Sequence, residues 1–172
     1  MPGELNEILL EPISEQNEKL LGQLLKGKLK TACSIAVELL HAMEAHFGPE
    51  VRQVLTSIVE NRQFEARQNP GKAEDDLHVF CNELDQGCVG THRWERVVEE
   101  RDRIGYRYTR CMWAEIFNEL GEPDLGFMLC AGDKPAVESY HPALGFERTR
   151  VLMHGDEDCD HVFLSKVSDS KI

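Results

Sequence analysis

The stretch Trp94-Glu-Arg-Val-Val-Glu-Glu-Arg-Asp-Arg-Ile-Gly-Tyr-Arg-Tyr108 decides the fold class, because its side chains alternate with a period of two. In its first half, Trp94, Arg96 and Val98 alternate with Glu95, Val97 and Glu99. In its second half, Ile104, Tyr106 and Tyr108 alternate, and Gly105 marks a bulge or turn between them. This alternation predicts two successive β-strands in a chain that is otherwise rich in helical patterns.

The residues before this stretch, from 13 to about 86, show the apolar period of helices. The first helix is expected to stop at Gly27, and the second to run from Leu29 to the pair Gly48-Pro49. The second is apolar over more than one face, so we expect it to be central. Further helices are predicted to begin at Pro49 and to lie between the break Asn69-Pro70-Gly71 and Gly87.

After the strand pair, the pattern predicts helices over 110–120 and from Pro123 to about Cys130, and a third short turn or helix from Lys134 to His141. Two more strands are predicted over Phe146–Met153 and Cys159–Lys166. Segregated elements of this kind favour an α+β fold in which N-terminal helices pack on a small antiparallel sheet. We expect one domain over residues 1–172, with a helical layer over 1–90 and an α+β part over 91–167 that carries the functional site.

The composition limits the classes of function. A net charge of -12 argues against nucleic acid as a partner, and no apolar run is long enough to span a membrane. The first residues lack the pattern of a signal peptide, so a cytoplasmic, bacterial-type protein with reduced thiols is expected. The sequence does not indicate an oligomeric state. Three of the six cysteines are predicted to be core residues: Cys33, Cys81 and Cys88.

The other three cysteines lie among acids and histidines, and they are the best candidates for chemistry. Cys111 and Glu115 are one turn apart on a helix whose core stripe is expected to contain Trp113. Cys130 is three residues from Asp133, which is either a helix N-cap or a catalytic carboxylate. A third group of residues shares strand faces: Cys159 with His161 and Phe163, and Arg148 with Arg150. Arg148 pointing inward would bind a substrate carboxylate.

The stretch from Arg110 to Phe163 resembles the L-2-amino-thiazoline-4-carboxylic acid hydrolase family. The matching pieces, in order, are Cys111 with Ala114-Glu115, Leu120-Gly-Glu-Pro-Asp-Leu125, Cys130-x-x-Asp133, Phe146-x-Arg148-Thr149, and Leu152-x-x-Gly155-Asp156-x-x-Cys159 with Phe163. The chain departs from the family pattern at His161, where an aromatic or apolar residue is more common, and this bears on the polarity of the pocket.

The resemblance implies ring opening of a small cyclic amidine thioether that carries a carboxylate. It implies Cys130 or Cys159 as nucleophile or metal ligand, Asp133 or Glu115 as proton carrier, and Arg148 as anion clamp. Cys111 belongs to the same expected site, and Trp113 and His161 are expected to contact the substrate. A metal, if bound, would be zinc or iron held by Cys111, Cys130, Asp133 and Cys159.

Two other interpretations of the function remain open. The ending Gly155-Asp-x-x-Cys159-x-x-x-Phe163 also looks like the four-vinyl-reductase-type domains, which bind small ligands and some of which hold zinc. The third reading is that all six cysteines are core residues and that the protein acts through its surface. An aromatic pocket or reactive thiols would argue against this third reading.

Overall fold

The structure is a computed structural model, and it describes residues 14–67 and 77–166, without the side chains of 63–67. Its helices and strands follow the predicted order. They are α1 (Glu15–Phe47), α2 (Val51–Arg67), α3 (Leu77–Cys88), β1 (His92–Glu99), β2 (Arg103–Cys111), α4 (Met112–Glu119), α5 (Pro123–Ala131), α6 (Asp133–Tyr140), β3 (Leu144–Glu147), a 3-10 turn (Leu152–His154) and β4 (Cys159–Ser165).

The four strands form one antiparallel sheet in the order β1-β2-β4-β3, which confirms the α+β fold class. The predicted irregularity at Gly105 is present, but the extra residue is on the neighbouring strand. Arg96 pairs with Tyr106 and Val98 pairs with Gly105, so Val97 has no opposite residue. A Cβ on Gly105 would lie 3.2 Å from the Cβ of Val98, and a glycine therefore lets the two strands approach each other here.

The core lies between the sheet and the helices of both halves of the chain. Phe80 of α3 contacts the ring of Tyr140 in α6 at 4.9 Å and that of Phe163 in β4 at 5.4 Å. Cys33, Cys81 and Cys88 are buried in this core, as predicted. Because one cluster contains residues from α1, α3, α4, α6 and all strands except β1, the helical layer and the sheet stabilise each other.

The predictions for the first two helices were partly wrong. Glycine at position 27 does not end a helix, since α1 continues from Glu15 to Phe47 and ends only at Gly48, whose φ of 93° is left-handed. Nor is α1 central, because it buries only Cys33, Val37 and Leu40. Leu25 and Leu29 pack partly buried against the core, and other apolar residues of this helix, such as Ile35 and Leu39, are exposed. The next helix, α2, begins at Val51, two residues after the predicted start at Pro49.

The predicted strand Phe146–Met153 was also wrong in extent, because β3 ends at Glu147. Two carboxylates occupy the backbone donors that a longer strand would use. Asp160 accepts hydrogen bonds from the backbone N–H groups of Thr149 and Arg150, and Asp156 accepts one from Val151 at 2.6 Å. The chain then forms a 3-10 turn, so Arg148 and Arg150 do not share a strand face.

In the parts of the chain that the structure describes, no helix is both long enough and apolar enough to cross a bilayer.

Candidate functional site

Arg148 is the centre of the candidate site. Its side chain is 11% exposed. The Cζ atom of Arg148 lies 5.4 Å from the ring centroid of Phe127 and 5.6 Å from that of Phe146. Its Nη1 donates to Oδ2 of Asp133 at 2.7 Å, and its Nη2 donates to the carbonyl oxygen of Cys130 at 3.3 Å. Contacts from α5, α6 and β3 therefore hold the guanidinium in one position. Two of its five N–H donors are used in these bonds.

Asp133 is the first residue of α6, and Gly132 is the N-cap. Of the two roles left open by the sequence, the N-cap is ruled out, because Gly132 holds that position and the side chain of Asp133 binds Arg148. A carboxylate in the first turn is stabilised by the helix dipole. With 37% of its side chain exposed, Asp133 is also accessible to solvent. It is both held in place by Arg148 and open to a ligand or to water.

The three candidate cysteines, far apart in the sequence, lie close enough to this ion pair to respond to it. Burial raises the pKa of Cys130 to about 12; the charge of Asp133 adds to this rise, and Arg148 opposes it. Burial is also the main cause of the raised pKa values of Cys111 and Cys159, and Asp133 contributes to both. All three thiols are therefore protonated at neutral pH. The thiol of Cys159 accepts a hydrogen bond from the backbone N–H of Leu152 at 3.1 Å.

His161 adds a neutral imidazole to the site. Its ring centroid lies 4.7 Å from that of Tyr108 and 5.1 Å from that of Phe146. Burial and, to a smaller extent, the positive charge of Arg148 lower the pKa of His161 to about 3. We call this group of residues the Arg148 cluster: Cys111, Cys130, Asp133, Arg148, Cys159 and His161.

Glu115 does not belong to the Arg148 cluster. Its carboxylate lies 2.6 Å from Arg110 Nε and 2.9 Å from Lys26 Nζ. Burial opposes its ionisation, but these two hydrogen bonds outweigh burial and lower the pKa of Glu115. The predicted pairing of Cys111 with Glu115 on one helix was wrong, because Cys111 is the last residue of β2.

Glu115 lies instead in an open groove of about 660 Å³ between the start of α1 and the edge of β1. His92 and Trp94 line the same groove. Two ring contacts connect the groove to the Arg148 cluster. The ring centroid of Tyr108 lies 5.7 Å from that of His92, which lines the groove, and 4.7 Å from that of His161, which belongs to the cluster. Trp113, an expected substrate contact, is partly buried against the core and is not among the lining residues of the groove.

The sequence left open whether a metal is bound, and the four residues named as possible ligands do not form a metal site in the structure. Within residues 14–67 and 77–166, no three His, Cys, Asp or Glu side chains are arranged to hold a metal ion. Cys111, Cys130, Asp133 and Cys159 therefore do not fit zinc or iron in this arrangement, although all lie near one another.

Sequence reasoning missed the residues that come from distant parts of the chain. Lys26 of α1 reaches Glu115 across 89 positions of sequence, and His92 comes from the start of β1. Lys26 carried no signal in the sequence, since a lysine on an amphipathic helix is normally a solvated residue. His92 lies two residues before Trp94, where the alternating stretch begins, and this position near the start of a predicted strand was the one available signal.

The burial of His161 predicts a loss of stability in mild acid. The unfolded chain takes up a proton on this residue below about pH 6.5, whereas the folded protein takes it up only near pH 3. Stability therefore falls as the pH decreases through this window, by about 1–2 kcal/mol between pH 6.5 and pH 5. Urea unfolding at pH 7 and pH 5 will measure this difference.

The variant His161→Gln should lose a large part of this pH dependence, whereas His154→Gln, at an exposed histidine, should keep it. His92, whose pKa burial also lowers, accounts for a remainder. Equal pH dependence in the wild-type protein and in His161→Gln would contradict the prediction.

Fold and site together define an α+β protein with a half-buried cluster of one ion pair, three thiols and a neutral histidine. The sequence profile described as L-2-amino-thiazoline-4-carboxylic acid hydrolase matches residues 28–163, and the chain belongs to this family. The family assignment supports a hydrolase-like role.

No curated protein matches the chain in sequence. Among solved structures, the chain is similar to the crystal structure of the phenol-responsive sensory domain of the transcription activator PoxR with phenol. That match has 9% sequence identity and a TM-score of 0.42, and it covers 90% of this chain and 77% of that chain.

Proposed function

We propose that the protein hydrolyses a small cyclic amidine of the thiazoline carboxylic acid type and opens its ring at the Arg148 cluster. The observation that carries this proposal is the ion pair of Arg148 and Asp133, which places a fixed cation next to an accessible carboxylate. Two of the five N–H donors of Arg148 bind Asp133 and the carbonyl oxygen of Cys130, and in the proposed complex the others bind the carboxylate of the substrate. The family assignment supports the reaction class.

In the proposed reaction, water attacks the ring carbon between nitrogen and sulfur. One proton of the water passes through Asp133 to the ring nitrogen, and the electron pair of the C=N bond goes to that nitrogen. The proton of the resulting hydroxyl then passes through Asp133 to the sulfur as the C–S bond breaks. The product is an N-carbamoyl cysteine-type thiol, which differs from the substrate by one water.

Water fits the role of nucleophile better than the cysteines do. A thiolate is the reactive form of cysteine, and burial raises the pKa values of Cys111, Cys130 and Cys159 above their ordinary range. The thiols instead provide a weakly polar, polarisable lining that suits a substrate containing sulfur. The variants Cys130→Ser and Cys159→Ser separate the two roles, because a nucleophilic cysteine is required for turnover whereas a lining cysteine is not.

The direct test is to incubate the purified protein with 2-amino-thiazoline-4-carboxylate and to follow the product by its gain of one water in mass spectrometry. Arg148→Gln should raise KM by about 10- to 100-fold, because a hydrogen-bonded ion pair contributes about 1.5–3 kcal/mol. Arg150→Gln is the matched control, since Arg150 is two residues away and binds Asp158. Equal kinetic parameters for the two variants would contradict the role of Arg148.

The second candidate is a sensor that binds a small ligand without turnover. The aromatic surroundings favour it, because Tyr108, Phe146 and Phe163 all have ring centroids within 6.2 Å of that of His161. Calorimetry with the same compound distinguishes the two functions. Binding that depends on Arg148, with no product formed, would support the sensor and contradict the hydrolase.

A further inference from the structure

The outer face of α1 carries an apolar stripe that no described part of the chain covers. Its residues follow one another in steps of three or four, with Lys28 within the series, and the stripe consists of Leu21, Leu24, Ala32, Ile35, Leu39 and Ala42. All six are exposed, and Ile35 and Leu39 are 55% and 60% exposed. The stripe lies on the side of the helix opposite Cys33, Val37 and Leu40, which face the core.

Such a stripe is not needed to fold the chain, because α1 already buries its other face. Its spacing keeps the side chains on one face of the helix, where a second helix can pack against them. From Leu21 to Ala42 it is about 33 Å long at 1.5 Å per residue. An exposed apolar surface of this extent marks an interaction site in soluble proteins. In a monomer, the apolar side chains of the stripe would remain exposed to water.

We propose that α1 pairs with α1 of a second copy of this chain in an antiparallel arrangement, through this stripe. The charges on the helix favour a second copy and set its direction. A parallel pair would place Lys28 against Lys28. An antiparallel pair that puts Ile35 against Ala32 also puts Lys28 next to Glu38 of the other copy, and the two-fold axis forms this pair twice.

The side chains also fit in size in this register. Large residues meet small ones where Ile35 lies against Ala32, and the aliphatic stem of Lys28 covers Leu39. Met43 and Phe47, near the end of the same helix, are also exposed, at 38% and 68%. The Arg148 cluster is built from α5, α6, β4, the residue that follows β3 and the last residue of β2, so pairing through α1 leaves the proposed reaction unaffected.

The test is the mass of the full chain in solution, measured by light scattering over a series of concentrations. The wild-type protein should show a mass twice the 19.6 kDa of one chain. Ile35→Glu should weaken the dimer by about a hundredfold or more, because the new carboxylate would be buried against Ala32 of the other copy. Ala45→Glu adds the same charge to an exposed position of α1 outside the stripe and should leave the dimer intact.

The direction of pairing has its own test. Lys28→Glu should weaken the dimer, and Lys28→Glu combined with Glu38→Lys should restore it, whereas a parallel pair would not recover. Circular dichroism establishes that each variant is folded. A wild-type protein that is monomeric at every concentration would overturn the proposal. If removal of residues 1–13 then produced a dimer, that segment of the same chain would be the occupant of the stripe.

Discussion

Asp133→Asn is expected to lower kcat for ring opening by about 100-fold or more, with a small change in KM. The size follows from general acid–base catalysis, which contributes about 10²- to 10⁴-fold. An amide of the same shape still accepts a hydrogen bond from Arg148, yet it cannot carry a proton between water, nitrogen and sulfur. The measurement is steady-state kinetics of product formation, together with the pH dependence of kcat.

The chain offers a matched control in Asp124→Asn. Both aspartates lie in the first turn of a short helix, but the ion pair with Arg148 is made by Asp133. Asp124→Asn should therefore keep full activity. Asp133→Glu should recover part of the rate and keep a pH-dependent limb, which a merely structural carboxylate would not do. Full activity in Asp133→Asn would rule out Asp133 as the proton carrier and leave Arg148 as a binding residue.

Gly126→Ala is expected to destabilise the protein by about 1–3 kcal/mol, the range for overpacking a well-packed core. A Cβ at this position would lie 2.6 Å from Sδ of Met153 and 2.7 Å from Cβ of Phe117. The helix α5 therefore needs a glycine here to approach both α4 and the 3-10 turn. The free energy of unfolding in urea measures the effect.

Gly22→Ala is the matched control, because Gly22 also lies within a helix but a Cβ there meets nothing within 4 Å. It should stabilise the protein by up to about 1 kcal/mol through helix propensity alone. The two variants should thus change the free energy of unfolding in opposite directions. Gly126→Ala with unchanged stability would show that α5 does not pack as closely as described. Because α5 carries Phe127 and Cys130, the destabilised variant should also bind substrate more weakly.

The fold class was predictable because each element has a local pattern. The alternation in Trp94–Tyr108 and the period of the helices are properties of neighbouring residues, and both were confirmed. The wrong predictions of helix and strand ends arose where contacts with residues distant in the sequence outweighed the local sequence pattern. The strand predicted over Phe146–Met153 ends at Glu147 because Asp160 and Asp156, which come later in the chain, bind its backbone donors. Gly27 did not stop α1 because contacts along the helix outweigh the cost of one glycine, about 1 kcal/mol.

The site shows the same division. The residue types were identifiable from sequence, since thiols, acids and an arginine in several spaced motifs resemble one family. Which acid pairs with which basic residue could not be identified from sequence. Asp133 and Glu115 were equal candidates for the proton carrier, and only the structure places Asp133 against Arg148 and Glu115 against Lys26 and Arg110. Likewise, Arg148 and Arg150 were equivalent in sequence, yet they bind different aspartates.

The sequence by itself determined the order of helices and strands, the antiparallel α+β class and the family, because these depend on spacing along the chain. Only the tertiary structure decided which charges meet, which thiols are protonated and which face of α1 remains in water. These properties depend on distances across folded space and on burial, and no local period of the sequence encodes either of them.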